Sequence, residues 1–329
     1  MEVRRKPGDA QARINLGNAL VKQGKYSEAE KAYREAIRLK PDDAVAHYNL
    51  GVTLGEKGET GEAIKAYREA LRLNPDDAEA HNNLGVALGE KGETDDAIKA
   101  YRGALRLKPD DAEAHNNLGV ALKQKGETGE AIKEYREAIR LDPGYAKAHS
   151  NLGVVLVLKG ETEEGIKAYR EAIRLKPDLT EAHNNLGVAL RQKGETEEAI
   201  KAYREALRLN PDDAEAHNNL GVALRRKGET EEGIKECRKA IRLKPEFAEA
   251  HYNLGNAQGE KGKTDEAIKA YREAIRLKPD YTDALENLAS TLDDKGERKE
   301  ARGYWERALK LEKEPEWVER IKNRLAEPD

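Results

Sequence analysis

One cysteine, one methionine and one phenylalanine in 329 residues leave this chain poor in the residues that usually build redox sites and bulky cores. A lone Cys237 cannot close an internal disulfide, so a reducing, cytoplasmic setting is expected, with the thiol in a core position. Aromatic residues make up 5% and charged residues 37%, a balance that would mean disorder in a chain of random order. Neither sign of charge dominates: 59 Lys and Arg face 63 Asp and Glu, a net charge of −4, and nucleic acid is not an expected partner. No apolar run approaches the roughly 20 residues of a membrane span, so no membrane partner is expected either. Met1–Asp9 has no apolar stretch of the kind a signal peptide needs.

What the chain does have is order. Pro7, Pro41, Pro75, Pro109, Pro143, Pro177, Pro211, Pro245 and Pro279 stand 34 residues apart. The period defines nine copies of one unit over 10–315, starting at residues 10, 44, 78, 112, 146, 180, 214, 248 and 282. A fixed period of this size predicts a solenoid whose units bury their apolar faces only against neighbours.

The third unit, Ala78–Asp111, shows how each copy is built. Ala80, Leu84, Ala87 and Leu88 form one helical stripe over roughly Glu79–Lys91. Gly92, repeated from Gly24 to Gly296, ends that helix in a left-handed conformation. A second helix is expected behind Thr94 as N-cap, with Ala97, Tyr101, Ala104, Leu105 and Leu107 turned inward. Lys108-Pro109 stops it, because a residue before proline is pushed out of the α region.

The pattern resembles the tetratricopeptide repeat (TPR) family over some 305 of 329 residues. Gly85, Ala97 and Ala104 match its small positions, Leu84 and Tyr101 its large ones, and Pro109 its terminator. Departures are His, Arg13 or Leu285 at the fourth residue of a unit, and Leu or Gln258 at the eleventh, where the family has aromatics. The resemblance implies an all-α, right-handed TPR α-solenoid (a superhelix) of nine helix-turn-helix repeats. Residues 316–329, with Trp317, Val318, Ile321 and Leu325 on one face, are expected to form a C-terminal capping helix. Residues 1–9 resemble the end of a second helix (VRRKPGDA beside IRLKPDDA), the remnant of a preceding repeat. A monomer is expected, with end-to-end contacts possible through the uncapped N-terminus.

Two columns are candidate peptide-binding residues. The sixth residue of every unit is asparagine: Asn15, Asn49, Asn83, Asn117, Asn151, Asn185, Asn219, Asn253 and Asn287. A carboxamide offers a donor and an acceptor to any peptide unit, whatever side chains flank it. The column resembles the asparagine ladder in the TPR superhelix of the O-linked N-acetylglucosamine transferase. The alternative is a bond to a neighbouring helix. The ninth residue is Val52, Val86, Val120, Val154, Val188 and Val222, almost opposite the core stripe. In TPR proteins that face lines a concave groove, where valines either shield one another or form an apolar interaction strip. Residues twelve and thirteen vary from Gly55-Glu56, Gly89-Glu90 and Gly259-Glu260 to Lys123-Gln124, Arg191-Gln192 and Arg225-Arg226. A chaperone-type carboxylate clamp needs basic residues at the second and sixth places, which here are mostly Glu and always Asn, so it is not expected.

Other motifs carry less. AQGEKGKT at Ala257–Thr264 matches a relaxed phosphate-loop pattern, but it falls in a turn between two helices rather than after a strand. His47, His81, His115, His149, His183, His217 and His251 recur in register about 10 Å apart, too far to share an ion. No catalytic group, metal or cofactor is expected, and the chain is read as no enzyme. The expected function is a protein-binding scaffold that holds an extended segment of a partner. A substrate-recruiting domain of a larger enzyme and a consensus-like scaffold without native ligand are the alternatives.

Overall fold

The computed structural model describes residues 9–326, so the remnant assigned to residues 1–9 lies, except for Asp9, outside the described residues. These residues form nineteen α-helices and no strand. Two compact units divide at Leu175. The first contains α1 (Ala10–Val21), α2 (Tyr26–Leu39), α3 (Ala44–Glu56), α4 (Thr60–Leu73), α5 (Ala78–Glu90), α6 (Thr94–Leu107), α7 (Ala112–Gln124), α8 (Thr128–Leu141), α9 (Ala146–Leu158) and α10 (Thr162–Leu175). The second contains α11 (Thr180–Gln192), α12 (Thr196–Leu209), α13 (Ala214–Lys227), α14 (Thr230–Leu243), α15 (Ala248–Glu260), α16 (Thr264–Leu277), α17 (Thr282–Lys295), α18 (Arg298–Leu311) and α19 (Pro315–Ala326). Each 34-residue repeat is one helix pair, giving nine pairs and a terminal helix, a TPR solenoid fold. Turns of two to four residues join the helices of a pair, which leaves only an antiparallel hairpin.

Local chemistry explains the boundaries. Asp9, Asp43, Asp77, Asp111 and Asp213 cap their first helices, each side chain accepting from a backbone N–H of the first turn. All nine turn glycines have φ between +70° and +91°. The Glu93 amide donates to the Leu88 carbonyl at 2.9 Å around Gly92, a Schellman closure that satisfies the first helix's end. Thr94 is therefore the first residue of α6, not its cap; the cap position belongs to Glu93, which makes no side-chain cap bond.

Within a pair, the tyrosine of the second helix lies flat on the glycine of the first. A Cβ placed on Gly85 would sit 2.6 Å from the Tyr101 ring, so nothing larger than glycine fits there. Repeat 7 has Cys237 at the tyrosine position and, like repeat 5 with Gly165, a glycine, Gly233, where most repeats have alanine. A Cβ on Gly233 would lie 2.7 Å from the Gly221 carbonyl, so here the helix backbones themselves approach. Leu107, expected inward, ends its helix 40% exposed.

Within each unit, successive first helices touch one another and successive second helices do not. The first helices therefore line the inner curve, and their polar margin is what a binding partner meets. At the C-terminus, Ile321 of α19 is fully buried in a cluster with Leu285, Leu288, Trp305 and Ala308. Leu325 is partly buried beside it. Trp317 is not part of that seam: it is 41% exposed, with the Arg320 guanidinium 4.8 Å from its ring centre. No helix among the described residues is long and apolar enough to cross a membrane.

Candidate functional site

The asparagine column lies where the helical periodicity puts it, at the edge of the core. Asn15 is exposed, and Asn49, Asn83, Asn117, Asn151, Asn185, Asn219, Asn253 and Asn287 are half-buried. Most of these carboxamides tie one repeat to the one before. Asn83 Nδ2 donates to the Tyr48 hydroxyl at 3.0 Å, Asn117 to Asn82 Oδ1 at 3.4 Å and Asn151 to Asn116 Oδ1 at 2.9 Å. In the second unit Asn219 donates to Asn184 at 3.2 Å and Asn253 to Asn218 at 2.9 Å. Asn287 reaches both Tyr252 at 3.2 Å and Asn256 at 2.9 Å. At the start of the chain, Asn49 reaches Asn18 at 3.3 Å.

The acceptors fall mainly in one column, the fifth residue of the preceding repeat, which the sequence reading passed over. Its occupants are Tyr48 and Tyr252, Asn82, Asn116, Asn184 and Asn218, with Ile14, Ser150 and Glu286 in the other repeats, and the only signal was the recurring Asn-Asn doublet. Seven of the nine amide nitrogens are thus engaged within the fold. The Oδ1 atoms of Asn83, Asn151, Asn219 and Asn253 take no bond among the described residues. The ladder therefore presents acceptors.

The valines lie beside it. Val52, Val120, Val154, Val188 and Val222 are half-buried, Val52 and Val120 against the main core cluster, and Val86 is 37% exposed. Val52, Val86 and Asn83 line a cavity of about 230 Å³ on the inner face of the first unit, together with Glu56, Glu90 and Tyr67. Gly55 opens it, since even a Cβ there would stand 4.0 Å from the Tyr67 hydroxyl. Burial pushes the Tyr67 phenol above its ordinary range, so it remains a neutral hydroxyl. Glu56 and Glu90 form no ion pair among the described residues. Further along α9 the face becomes apolar, with Leu158 70% exposed. In the second unit, Arg225 pairs with Glu260, so its charge is balanced inside the protein.

The histidine column has a structural task. All seven rings place Nε2 within 2.9–3.2 Å of a proline carbonyl six residues earlier, from His47 on Pro41 to His251 on Pro245. A carbonyl only accepts, so Nε2 carries the proton and the ring closes the turn between repeats. His115 and His217 differ because Glu134 and Glu236 replace the usual alanine and meet Nδ1, at 2.6 Å and 2.5 Å. In repeat 4 the Glu134 carboxylate holds the His115 imidazole above its ordinary pKa. Among the described residues no cluster of three or more His, Cys, Asp or Glu is placed to hold a metal ion. Burial pushes the Cys237 thiol up to about 12, so it stays un-ionised.

Comparison with known proteins puts these features in a family. No curated protein matches the sequence. Among solved structures, the APC/C hetero-tetramer Cut9–Hcn1 aligns with a TM-score of 0.64 at 17% identity, over 97% of this chain and 76% of that one, a likeness of fold. YrrB, described as a TPR protein with an unusual peptide-binding site, aligns at 0.49 and 26% identity over 57% of this chain and 97% of its own. MamA aligns at 0.47 and 33% identity over 50% and 96%. Repeat models of the TPR type match residues 17–58, 248–281 and 282–313. Since the model described as Cilia and flagella-associated protein 70 C-terminal domain fits 43–253, more than half of the chain, this protein belongs to that family of tetratricopeptide repeat proteins.

Proposed function

We propose that the inner face of each unit is a protein-binding surface that holds an extended segment of a partner chain. The observation that carries this reading is the cavity between α3 and α5. It brings two valines, a ladder asparagine and two unpaired glutamates to one opening. Successive first helices lie about 10 Å apart and an extended chain advances about 3.3 Å per residue, so each repeat meets roughly three partner residues. The free Oδ1 atoms accept from peptide N–H groups and the valines take apolar side chains. In the first unit the face runs from acidic at Glu56 and Glu90 to apolar at Val154 and Leu158. Its preferred segment has a basic residue and an apolar residue roughly six to nine positions apart. The single buried Cys237 suits a reducing cytoplasm.

A displayed library of extended peptides, selected on the whole chain and measured by calorimetry, tests this. Peptides of that charge pattern are expected, and the Glu56→Lys/Glu90→Lys protein should bind them at least tenfold more weakly. Selected peptides whose affinity ignores both this change and Val86→Glu would overturn the reading.

A further inference from the structure

The second-helix side of each unit carries a cavity of similar size, and the two cavities differ in ways that bear on function. In the first unit a space of about 430 Å³ lies over Leu50 and Leu54 between α2 and α4. Its rim charges are neutralised within the protein: Arg34 pairs with Glu30, Arg38 with Glu35, Lys65 with Glu62 and Glu69 with Arg72.

The corresponding space in the second unit, about 460 Å³ between α14 and α16, has Gln258 where the first has Leu54. Gln258 is only 3% exposed, and its Oε1 is buried with no hydrogen-bond partner in the protein. An unmet buried carboxamide is a cost that leucine would avoid. The rim is also left unbalanced. Lys239 stands where repeat 1 has Glu35, so Arg242 loses the partner that Arg38 has. Among the described residues, Arg238, Arg242 and Lys269 line the cavity without forming any ion pair. On the opposing rim Glu273 is taken up by Arg276, and only Glu266 remains to offset three cations. Ile241, Leu254 and Ala270 supply an apolar floor.

We propose that this cavity is a small-molecule site for an organic carboxylate with an apolar body. The volume falls in the range of ligand pockets. Arg238 and Arg242, one helical turn apart on α14, hold the carboxylate with Lys269 facing them across the opening, a geometry suited to guanidinium–carboxylate pairing. The apolar body rests on Ile241, Leu254 and Ala270. A hydroxyl on its far end donates the hydrogen bond that Gln258 Oε1 lacks, with the carboxamide turned toward the opening.

Calorimetry on the full chain with octanoate, 8-hydroxyoctanoate and octyltrimethylammonium tests each part. Octanoate should bind once, with a dissociation constant below about 1 mM. The hydroxylated acid should bind more tightly, and the cation should not bind. Arg238→Gln/Arg242→Gln should weaken octanoate at least tenfold, and Lys269→Gln repeats the test from the other wall should the double variant lose its circular dichroism. Gln258→Leu should abolish the advantage of the hydroxylated acid while sparing octanoate. The proposal is overturned by no saturable heat with either acid up to about 10 mM, by equal binding of the cation, or by rim variants that bind as wild type does.

Discussion

Repeat 8 and repeat 4 pack the same tyrosine on the same glycine and differ at the ninth residue. In repeat 8, Asn256 Oδ1 accepts from the Tyr271 hydroxyl at 2.8 Å and from Asn287 Nδ2 at 2.9 Å, so the pair and the next repeat are tied through one atom. Repeat 1 does the same with Asn18, Tyr33 and Asn49. In repeat 4 the ninth residue is Val120, and the Tyr135 hydroxyl is buried with no partner. The fold is therefore better satisfied by asparagine at this column. A half-buried valine there packs on the core but leaves the tyrosine hydroxyl unmet, which is consistent with reading the valine column as a surface for a partner.

The largest effect tests what the two repeats share. Gly119→Ala and Gly255→Ala would place a Cβ 2.7 Å and 2.5 Å from their tyrosine rings. Each should cost about 2–3 kcal/mol, with protection from hydrogen exchange lost mainly in its own repeat. Unequal costs, or losses spread across the chain, would break the comparison at its base.

The next pair tests the difference and should have opposite signs. Asn256→Val strands the Tyr271 hydroxyl and removes one acceptor from Asn287, costing about 2 kcal/mol in chemical denaturation. Val120→Asn gives Tyr135 a partner and should add about 1 kcal/mol while weakening the selected peptides. A destabilised Val120→Asn protein would mean that the valine serves packing after all.

These two repeats also show what a sequence discloses. The period, the glycine turns and the tyrosine-on-glycine contact were legible because each repeats at fixed spacing and has one steric cause. The tie between asparagine columns was not, because Asn117 meets Asn82 across 35 residues and the acceptor changes identity from repeat to repeat. The histidine–proline bond was hidden for a different reason: the turn that brings His115 back to Pro109 is a matter of backbone path, not of pattern. The Gln258 cavity needs three helices in place before its unpaired rim is visible. Glu93 rather than Thr94 holding the cap position of α6 follows from the Schellman closure around Gly92, which ties the Glu93 amide to Leu88, a contact that propensity does not report.

The smallest expected effect separates repeat 4 from repeat 8 by pH. His115 has acceptors on both ring nitrogens, the Pro109 carbonyl at 3.1 Å and Glu134 at 2.6 Å, and both favour the imidazolium. The hydrogen bond that the ring donates to Glu134 is the main cause of the raised pKa, with burial opposing it. A pKa higher in the folded than in the unfolded chain means that the folded state binds the proton more tightly. The resulting stability is fully present below the unfolded value of 6.5 and is lost as pH rises through the folded one. Repeat 8 has Ala270 where repeat 4 has Glu134, so His251 has no such partner. Denaturation midpoints followed from pH 6 upward should therefore fall, by an amount reduced by solvent screening of the partly open pair. Glu134→Ala should flatten that slope locally in repeat 4 while leaving repeat 8 unmoved. A slope unchanged in Glu134→Ala would show that the pair contributes nothing in solution, and the comparison would then rest on Val120 and Asn256 without it.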